Sequence, residues 1–171
     1  MKKIGFYILV CAAVMSACSL KDKTDYTPAI AVSDYFYLIS DTSLFPIDSL
    51  RFGYDATQEC YRTDTAAIND TIQFAVGLYG FANSLTSFTM RWNPELVKFL
   101  VMENVYTDDV FKQITLYDDG SIDFVFQPGY LSVGLPIQYT TIAAGNCQFE
   151  MILNSDSKYS PVQCSFFAPC Q

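Results

Sequence analysis

From residue 30 onward, apolar and polar residues alternate along most of this chain. Every second residue is apolar in 72–78, 88–92, 122–126 and 147–153, with Gln, Thr, Asp or Glu among the residues between them. A period of two places one face of a strand on a core and the other in water. Aromatic and β-branched residues, which strands prefer, are abundant. The pattern therefore predicts an all-β fold.

Turn signals separate these runs. Asp118-Asp119-Gly120 predicts a tight hairpin, because glycine tolerates the positive φ that such turns need, and Asn93-Pro94-Glu95 ends another strand. Residues 54–70 alternate little and are predicted to form a long loop. The predicted strands are 32–39, 47–53, 71–79, 85–92, 97–103, 111–117, 121–127, 135–143, 146–153 and 161–167. So many strands in one domain predict a two-sheet antiparallel β-sandwich.

The first eighteen residues resemble a bacterial lipoprotein signal. Lys2 and Lys3 precede the apolar run 4–14, and Met15-Ser16-Ala17-Cys18 resembles a lipobox. The apolar run is too short to span a bilayer comfortably as a helix. The resemblance implies a signal peptide over 1–17, a lipidated Cys18 with a tether over 18–29, and a β-sandwich domain over 30–171. An ordinary secretory signal cut near Ala17, with Cys18 incidental, is the alternative.

The tether also bears on location. Lys21-Asp22-Lys23 with Asp25 resembles the charged tag that exports Bacteroidetes lipoproteins to the cell surface. The expected location is the bacterial cell envelope, with the chain lipid-anchored to the outer membrane on its periplasmic or cell-surface side. The membrane is then one partner of the protein.

Charge and composition narrow the classes of function. Removing 1–17 leaves 8 basic and 18 acidic residues, a net charge of −10. This charge argues against nucleic acid as a partner, because nucleic acid requires basic patches. The chain has no histidine, which removes the commonest general base and zinc ligand. A non-enzyme without a cofactor is therefore expected.

Cysteines indicate disulfides. Cys60, Cys147, Cys164 and Cys170 remain after Cys11 leaves with the signal and Cys18 is lipidated. An even count in an oxidising envelope favours pairing, and three pairings are possible. Cys147 and Cys164 fall on the apolar phase of neighbouring strands, so Cys147–Cys164 with Cys60–Cys170 is the favoured pairing.

Part of the chain resembles a cohesin-type β-sandwich. The resemblance covers 68–153 and rests on Asn69-Asp70-Thr71 before the strand 72–78, on the stretch 83–99, on Gly120-Ser121-Ile122 and on the strand 148–153. In 83–99 a strand ends at an aromatic residue and Asn-Pro, and a Leu and a further apolar strand follow. Residues 28–67 have no clear counterpart in that family, the tail 161–171 carries two cysteines that the family does not need, and an immunoglobulin-like sandwich is the alternative. The resemblance implies a protein-binding or carbohydrate-proximal module whose partner is another chain.

Possible site residues each have a simpler explanation. Asp118, Asp119 and Asp123 are weak candidates for a calcium site, since calcium prefers carboxylate oxygens, but a solvated hairpin tip accounts for them and no metal is predicted. No spacing selects a catalytic pair among the glutamates, and Trp92 is predicted to be core because it shares the phase of Phe88 and Met90. The glutamates considered are Glu59, Glu95, Glu103 and Glu150.

Tyrosines are the best indication of binding. Flat tyrosines on the rim of a sandwich stack on sugars or anchor a protein partner. Those predicted on one face of a strand, at strand ends or in loops are Tyr35, Tyr37, Tyr106, Tyr117, Tyr130, Tyr139 and Tyr159.

Three functions follow in order of support. The first is a lipid-anchored envelope β-sandwich that acts as a non-catalytic protein-binding or structural accessory module. The second is a surface glycan-binding lipoprotein of a carbohydrate-uptake system. The third is a small carboxylate-based hydrolase, of the kind that needs two facing carboxyl groups. The sequence leaves the ligand-binding residues unknown.

Overall fold

A computed structural model describes residues 25–39, 48–102 and 105–171, and they form an all-β structure. The strands are β1 Ala29–Val32, β2 Tyr35–Ile39, β3 Asp48–Asp55, β4 Cys60–Thr63, β5 Thr71–Tyr79, β6 Leu85–Arg91, β7 Val97–Leu100, β8 Phe111–Tyr117, β9 Ser121–Phe126, β10 Ser132–Thr141, β11 Gly145–Ser155 and β12 Val162–Cys170. No helix among these residues is long and apolar enough to cross a membrane.

Two sheets form the layers of the sandwich. The first has the order β7-β10-β5, with β1 and β2 both pairing along the far side of β5 and β3 following β2. The second has the order β4-β12-β11-β6-β9-β8. All pairs are antiparallel except β4 with β12 and a bridge between Ala66 and Cys170.

Strand β3 belongs to both sheets. Its first half, up to Arg51, pairs with β2 in the first sheet, and its second half, from Phe52, pairs with β4 in the second. The backbone hydrogen bonding therefore runs continuously from one layer to the other on this side of the molecule. The other side is not joined in this way, because β7 and β8 each pair with one neighbour among the described strands.

Aromatic rings fill the space between the layers. Phe36 and Phe74 of the first sheet stack with centroids 4.3 Å apart, and Phe149 and Phe166 of the second stack at 5.0 Å. Phe74 meets Phe166 edge-on at 5.7 Å, so the two pairs interlock across the core. Each of these rings is at most 2% exposed, and burying one stabilises the fold by about 1.5–3 kcal/mol.

The strands define two ends of the sandwich. The N-terminal pole is the end at which the described chain enters at Asp25. It holds the segments 80–84, 127–131 and 156–161. The opposite pole holds the segments 68–70, 92–96, 118–120 and 142–144 together with Gln171.

The predicted fold class is confirmed, since the chain is an all-β two-sheet sandwich. The predicted long loop over 54–70 is wrong in part, because β3 continues to Asp55 and β4 occupies 60–63. In β4 only Thr63 is buried, so the strand lacks the alternation that reveals a strand in sequence. The predicted strand 32–39 is divided at Ser33 and Asp34, and the predicted strand 97–103 ends at Leu100.

Candidate binding groove between two free strand edges

Between β7 and β8 no backbone pairing among the described residues joins the two sheets, and we call this the open side of the sandwich. A connecting segment covers it at one end only. Tyr106, from the connection between β7 and β8, packs edge-on against Phe111 and Phe124, and its hydroxyl donates a hydrogen bond to the Pro136 carbonyl at 2.6 Å. Met102 and Val110 of the same connection also pack on the core. The half of the open side toward the N-terminal pole is therefore closed.

The other half of the open side forms a groove, which we call the edge groove. Trp92 and Phe99 stack in it with centroids 5.1 Å apart. Its volume is about 350 Å³. The side chains that line it are Trp92, Pro94, Val97, Lys98, Phe99, Leu116, Tyr117, Asp118 and Ile142, with Gly120.

Apolar side chains stand exposed along this groove. Leu116 is 48% exposed, Tyr117 45% and Ile142 43%. Trp92, by contrast, is 8% exposed, so its prediction as a core residue agrees with its burial. The groove thus combines an aromatic floor held rigid by packing with an apolar rim that remains open to solvent.

Local turns hold the groove in shape. The Asn93 side chain accepts a hydrogen bond from the Glu95 backbone N–H at 2.9 Å, and the Asn93 carbonyl accepts one from Val97. The predicted turn at Asn93-Pro94-Glu95 therefore directs the chain from β6 into β7. The Trp92 backbone N–H donates to the Gly120 carbonyl at 2.8 Å, which ties the floor to the β8–β9 turn.

A second concave surface lies on the β3–β4 hairpin, and we call it the hairpin cleft. It has a volume of about 630 Å³ and is lined by charged groups from both strands, including Arg51, Arg62 and Asp64. Arg62 forms an ion pair with Asp55 at 3.4 Å, and two backbone N–H groups that donate to Asp55 lower the pKa of its carboxyl. Tyr54 and Tyr61 pair across the hairpin on the face opposite to Arg62, meet edge-on at 5.3 Å and are 58% and 52% exposed.

The candidate calcium residues do not converge. Asp118 and Asp119 lie in the β8–β9 turn, where Asp119 accepts a hydrogen bond from the Ser121 hydroxyl at 2.6 Å. Asp123 lies on the outer face of β9 and accepts one from the Thr89 hydroxyl at 2.6 Å. Among the described residues, no three His, Cys, Asp or Glu side chains form a group that would hold a metal ion.

The glutamates are also dispersed. Glu59 lies at the tip of the β3–β4 hairpin near the N-terminal pole, whereas Glu95 lies at the opposite pole. Glu150 lies on the outer face of β11, directly across from Arg91. Glu103 is outside the described residues. The structure thus separates Glu59 from Glu95 by the length of the sandwich.

The favoured disulfide pairing is wrong, because strand register separates its partners. All four cysteines are free thiols in the structure. Cys147 lies opposite Ala168, so Cys164 is four positions away along β12, about 13 Å. The register of Arg62 with Phe167 likewise leaves Cys170 about 16 Å beyond the level of Cys60. A disulfide requires Cα atoms within about 7 Å. Cys18 is outside the described residues.

The tyrosines divide into three groups by burial. Tyr35, Tyr37, Tyr117 and Tyr159 are exposed, whereas Tyr106 and Tyr139 are 7% and 1% exposed and belong to the core. Tyr130 is half-buried and donates its hydroxyl hydrogen to the Asp109 carbonyl at 3.0 Å. Tyr139 continues the inward phase of Leu135 and Ile137, and this alternation was the signal that would have placed it in the core.

Several residues of these surfaces were not identified from the sequence. Leu116 and Ile142 belong to apolar runs that also suit a core, and Tyr54 and Tyr61 fell in the predicted loop. For Tyr54 and Tyr61 the available signal was their Tyr-x₆-Tyr spacing across a turn, since this spacing places the two rings directly opposite each other in a hairpin.

Comparison with known proteins finds similar structures only. No family model matches the chain, and no curated protein matches it. It is similar to a cohesin module of a family 33 glycoside hydrolase from Clostridium perfringens, with 10% identity and a TM-score of 0.46 over 71% of this chain and 95% of that one. A DUF4466 family protein from Parabacteroides merdae has 7% identity and a TM-score of 0.46 over 83% of this chain, which spans 44% of that protein.

A third similar structure is the α2-macroglobulin of Escherichia coli, from its MG7 domain to its C-terminus. Its identity is 11% and its TM-score 0.49, over 86% of this chain and 24% of that one. At these identities and scores, the similarities do not indicate a role for this chain. Its fold is established by the strands and pairings described above.

Proposed function

We propose that this chain is a non-catalytic binding module of the bacterial cell envelope, and that the edge groove receives an extended segment of a partner protein. One observation carries this proposal. The groove lies between β7 and β8, which each leave one edge without a strand neighbour among the described residues, and its floor is the Trp92–Phe99 stack. Free edges offer rows of backbone N–H and C=O groups to an added strand.

The rim supplies the apolar contribution to binding. Leu116 and Tyr117 expose nearly half of their surface, and covering such side chains contributes about 25 cal/mol for each Å² removed from water. Lys98 of β7 adds a positive charge to the rim of the groove, and Asp118 of the β8–β9 turn adds a negative one. An extended segment with alternate apolar side chains is complementary to this arrangement.

Site-specific crosslinking tests the proposal in cells. A photoreactive phenylalanine analogue replaces Leu116 in one variant and Lys98 in a second. In a control variant it replaces Gln163, which is exposed on the outer face of β12 away from the groove. On irradiation we expect a discrete adduct from both groove positions and none from the control, because only the groove positions face the partner.

The contrary result is equally definite. Equal crosslinking from all three positions, or no adduct from either groove position in cells that display the protein, would contradict a partner in the groove. Leu116→Asp, placed in the Lys98 crosslinking variant, should remove the adduct. Thermal unfolding of that double variant confirms that the domain still folds.

The lipid anchor is part of the same proposal. Its support is the lipobox-like Met15-Ser16-Ala17-Cys18 after a charged and then apolar segment. An acyl chain on Cys18 would hold the sandwich at the outer membrane, on the periplasmic or the cell-surface side. The absence of histidine from the chain and the separation of Glu59 from Glu95 support a role without catalysis.

Glycan binding is a second candidate function, and the hairpin cleft favours it. The exposed rings of Tyr54 and Tyr61 on one face of this hairpin, with arginine and carboxylate groups on its other face, supply stacking surfaces and polar groups that recognise hydroxyls. Tyr54→Ala with Tyr61→Ala should abolish retardation on a retaining polysaccharide in affinity electrophoresis. Tyr79→Ala with Tyr117→Ala, two exposed tyrosines that do not line this hairpin, is the matched control and should leave it unchanged. Retardation that survives loss of Tyr54 and Tyr61 would exclude the tyrosine face of this hairpin as the glycan site.

A further inference from the structure

The N-terminal pole carries a group of exposed aromatic and apolar side chains that the proposed function does not use. Tyr26 and Phe81 have centroids 5.9 Å apart, and Phe81 and Tyr79 stack at 6.3 Å. Leu131 adjoins them, because its carbonyl accepts a hydrogen bond from the Gly80 backbone N–H at 2.8 Å. We call Tyr26, Tyr79, Phe81 and Leu131 the pole cluster; each is between 41% and 52% exposed.

The backbone is arranged to present this cluster. Phe81 has φ of +58°, a left-handed conformation that is unusual for a bulky side chain. A turn in which the Asn83 backbone N–H donates to the Gly80 carbonyl at 2.9 Å holds it there. Tyr79 lies over Gly77, where an added Cβ would approach the tyrosine hydroxyl to 2.7 Å. Residues held in such sparsely populated backbone conformations cluster at functional sites.

The chain enters the described structure beside this cluster. The Tyr26 backbone N–H donates to the Asn83 side-chain oxygen at 3.0 Å, and Asn83 is fully buried. Asp25 accepts a hydrogen bond from Asn83 at 3.3 Å and pairs with Lys158 at 3.7 Å. Asp25 and Tyr26 are therefore held at the N-terminal pole by a buried amide and an ion pair.

The length of the tether then limits the distance to the membrane. Seven residue steps separate Cys18 from Asp25, and a chain spans at most about 3.3–3.6 Å per residue, or about 25 Å here. If Cys18 carries lipid, the N-terminal pole cannot move farther than this from the bilayer surface. Its exposed aromatic rings are then held at high local concentration beside that surface.

We propose that the pole cluster docks on the lipid surface and orients the sandwich with its N-terminal pole against the bilayer. Tyrosine and other amphipathic aromatic residues favour the interface between headgroups and acyl chains. Lys158, whose ammonium group lies 5.0 Å from the centroid of the Tyr159 ring, adds a cation beside an exposed aromatic residue at the same pole. The edge groove lies toward the opposite pole and is therefore at a distance from the membrane in this orientation.

The charge of the domain selects the type of lipid surface. The mature chain carries a net charge of −10, which repels an anionic surface. Contact through aromatic rings does not depend on opposite charge, so a zwitterionic phosphatidylcholine bilayer is the suitable probe. The contact should also persist at high salt, because salt screens charges and does not weaken apolar burial.

Quenching by brominated lipid tests the docking. The full chain is produced with its own signal and reconstituted into vesicles of phosphatidylcholine brominated on its acyl chains. Phe81→Trp places a reporter in the pole cluster. Ile68→Trp places one at the opposite pole, on a side chain that is 40% exposed and outside the edge groove. Trp92 is buried and common to both variants.

We expect Phe81→Trp to lose at least about twofold more fluorescence than Ile68→Trp, with little change between low and high salt. Tyr26→Ser with Tyr79→Ser in the Phe81→Trp background should reduce that difference. Equal quenching of the two reporters would overturn the docking and would show that the domain stands clear of the bilayer or rests on it without preference.

The inference rests on the proposed lipid anchor, and the two fail differently. The intact mass of the purified chain reports whether acyl groups are present on Cys18. Lipid on Cys18 with equal quenching overturns the docking alone. A mature chain without lipid overturns the anchor and, with it, the reach argument and the docking.

Discussion

At the scale of single residues, two buried tyrosines differ in whether their hydroxyl group has a hydrogen-bond partner. The Tyr106 hydroxyl donates a hydrogen bond to the Pro136 carbonyl at 2.6 Å. The Tyr139 hydroxyl is buried and has no hydrogen-bond partner among the described residues. A buried polar group without a partner costs about 1–3 kcal/mol, whereas a satisfied hydrogen bond contributes about 0.5–1.5 kcal/mol.

Replacing each tyrosine with phenylalanine should therefore give opposite results. Tyr139→Phe removes an unsatisfied hydroxyl and should leave the free energy of unfolding unchanged or raise it. Tyr106→Phe removes a satisfied one and should lower it by about 1 kcal/mol. Urea unfolding of both variants and the parent measures the difference. Equal destabilisation by the two substitutions would show that Tyr139 has a partner.

The same two residues predict the response to alkaline pH. Burial raises the pKa of both phenols well above the usual value of 10. Ionisation is then easier in the unfolded chain, so the contribution of these two tyrosines to stability is constant below about pH 10 and falls as pH rises toward the folded-state pKa values, by about 1.4 kcal/mol per pH unit for each tyrosine. Unfolding midpoints between pH 8 and 11 test this fall. Tyr139→Phe should halve the contribution of the pair.

The sequence placed Tyr106 and Tyr139 at strand ends or in loops, as candidates for binding, and the structure places both in the core. Tyr139 was recognisable from its strand phase, but Tyr106 was not. It follows a short strand and enters the core from a connection, where no periodicity applies. Its burial depends on Phe111 and Phe124 from other strands, which only the tertiary structure brings to it.

At the scale of elements, the turn between β8 and β9 shows why its sequence was predictive. Gly120 has φ of +83°, and a Cβ there would lie 2.4 Å from the Trp92 carbonyl oxygen. Gly129 has a similar φ of +95°, but a Cβ added at this position would meet no heavy atom within 4 Å. Conformation alone explains glycine at 129, whereas both conformation and space require it at 120.

Alanine substitution at these two glycines separates the two effects. Gly129→Ala should cost about 1 kcal/mol, because only the left-handed conformation is penalised. Gly120→Ala should cost clearly more, because the backbone of Trp92 must also move. Thermal unfolding of the two variants gives the comparison, and equal losses would mean that the turn relaxes without strain.

Strand register makes a further prediction about the cysteines. Peptide mapping under non-reducing conditions should find neither a Cys147–Cys164 nor a Cys60–Cys170 linkage, since β11, β12 and β4 hold these pairs about 13 and 16 Å apart. Burial raises the pKa of the Cys147 thiol to about 11, so its alkylation at pH 8 should be slow. Detection of either linkage would require a shifted register.

Most strand positions were predictable because alternation is a local property. The predicted strands 71–79, 111–117 and 121–127 agree with β5, β8 and β9 to within one residue. The disulfide pairing was not predictable, because two cysteines can share an inward phase and still lie at different positions along their strands. The phase of a residue follows from its neighbours in the sequence, but its position relative to a residue on another strand follows from the register between the two strands.

At the scale of the whole molecule, the proposal requires the chain to be attached to a membrane. In cells supplied with labelled palmitate, the chain should become labelled, and Cys18→Ala should not. Cys11→Ala is the matched control and should retain the label, because residue 11 lies within the predicted signal peptide. An unlabelled parent chain at normal expression would leave an ordinary secretory signal as the explanation.

The arrangement of the two sheets decides which surfaces are available. On one side, β3 passes from the first sheet to the second and closes the sandwich through backbone pairing. On the other side, β7 and β8 leave free edges, among the described strands, with the groove between them. The asymmetry places the binding groove opposite the closed side and away from the N-terminal pole.

The sequence by itself determined the all-β class, most strand positions, the turns at Asn93-Pro94-Glu95 and Asp118-Asp119-Gly120, and the burial of Trp92. These depend on residues close together in the chain, through side-chain alternation and turn conformation. Only the tertiary structure decided the switch of β3 between layers, the separation of the cysteines, the edge groove and the pole cluster. Each of these depends on which strands become neighbours, and that choice is made by burial summed over the whole core.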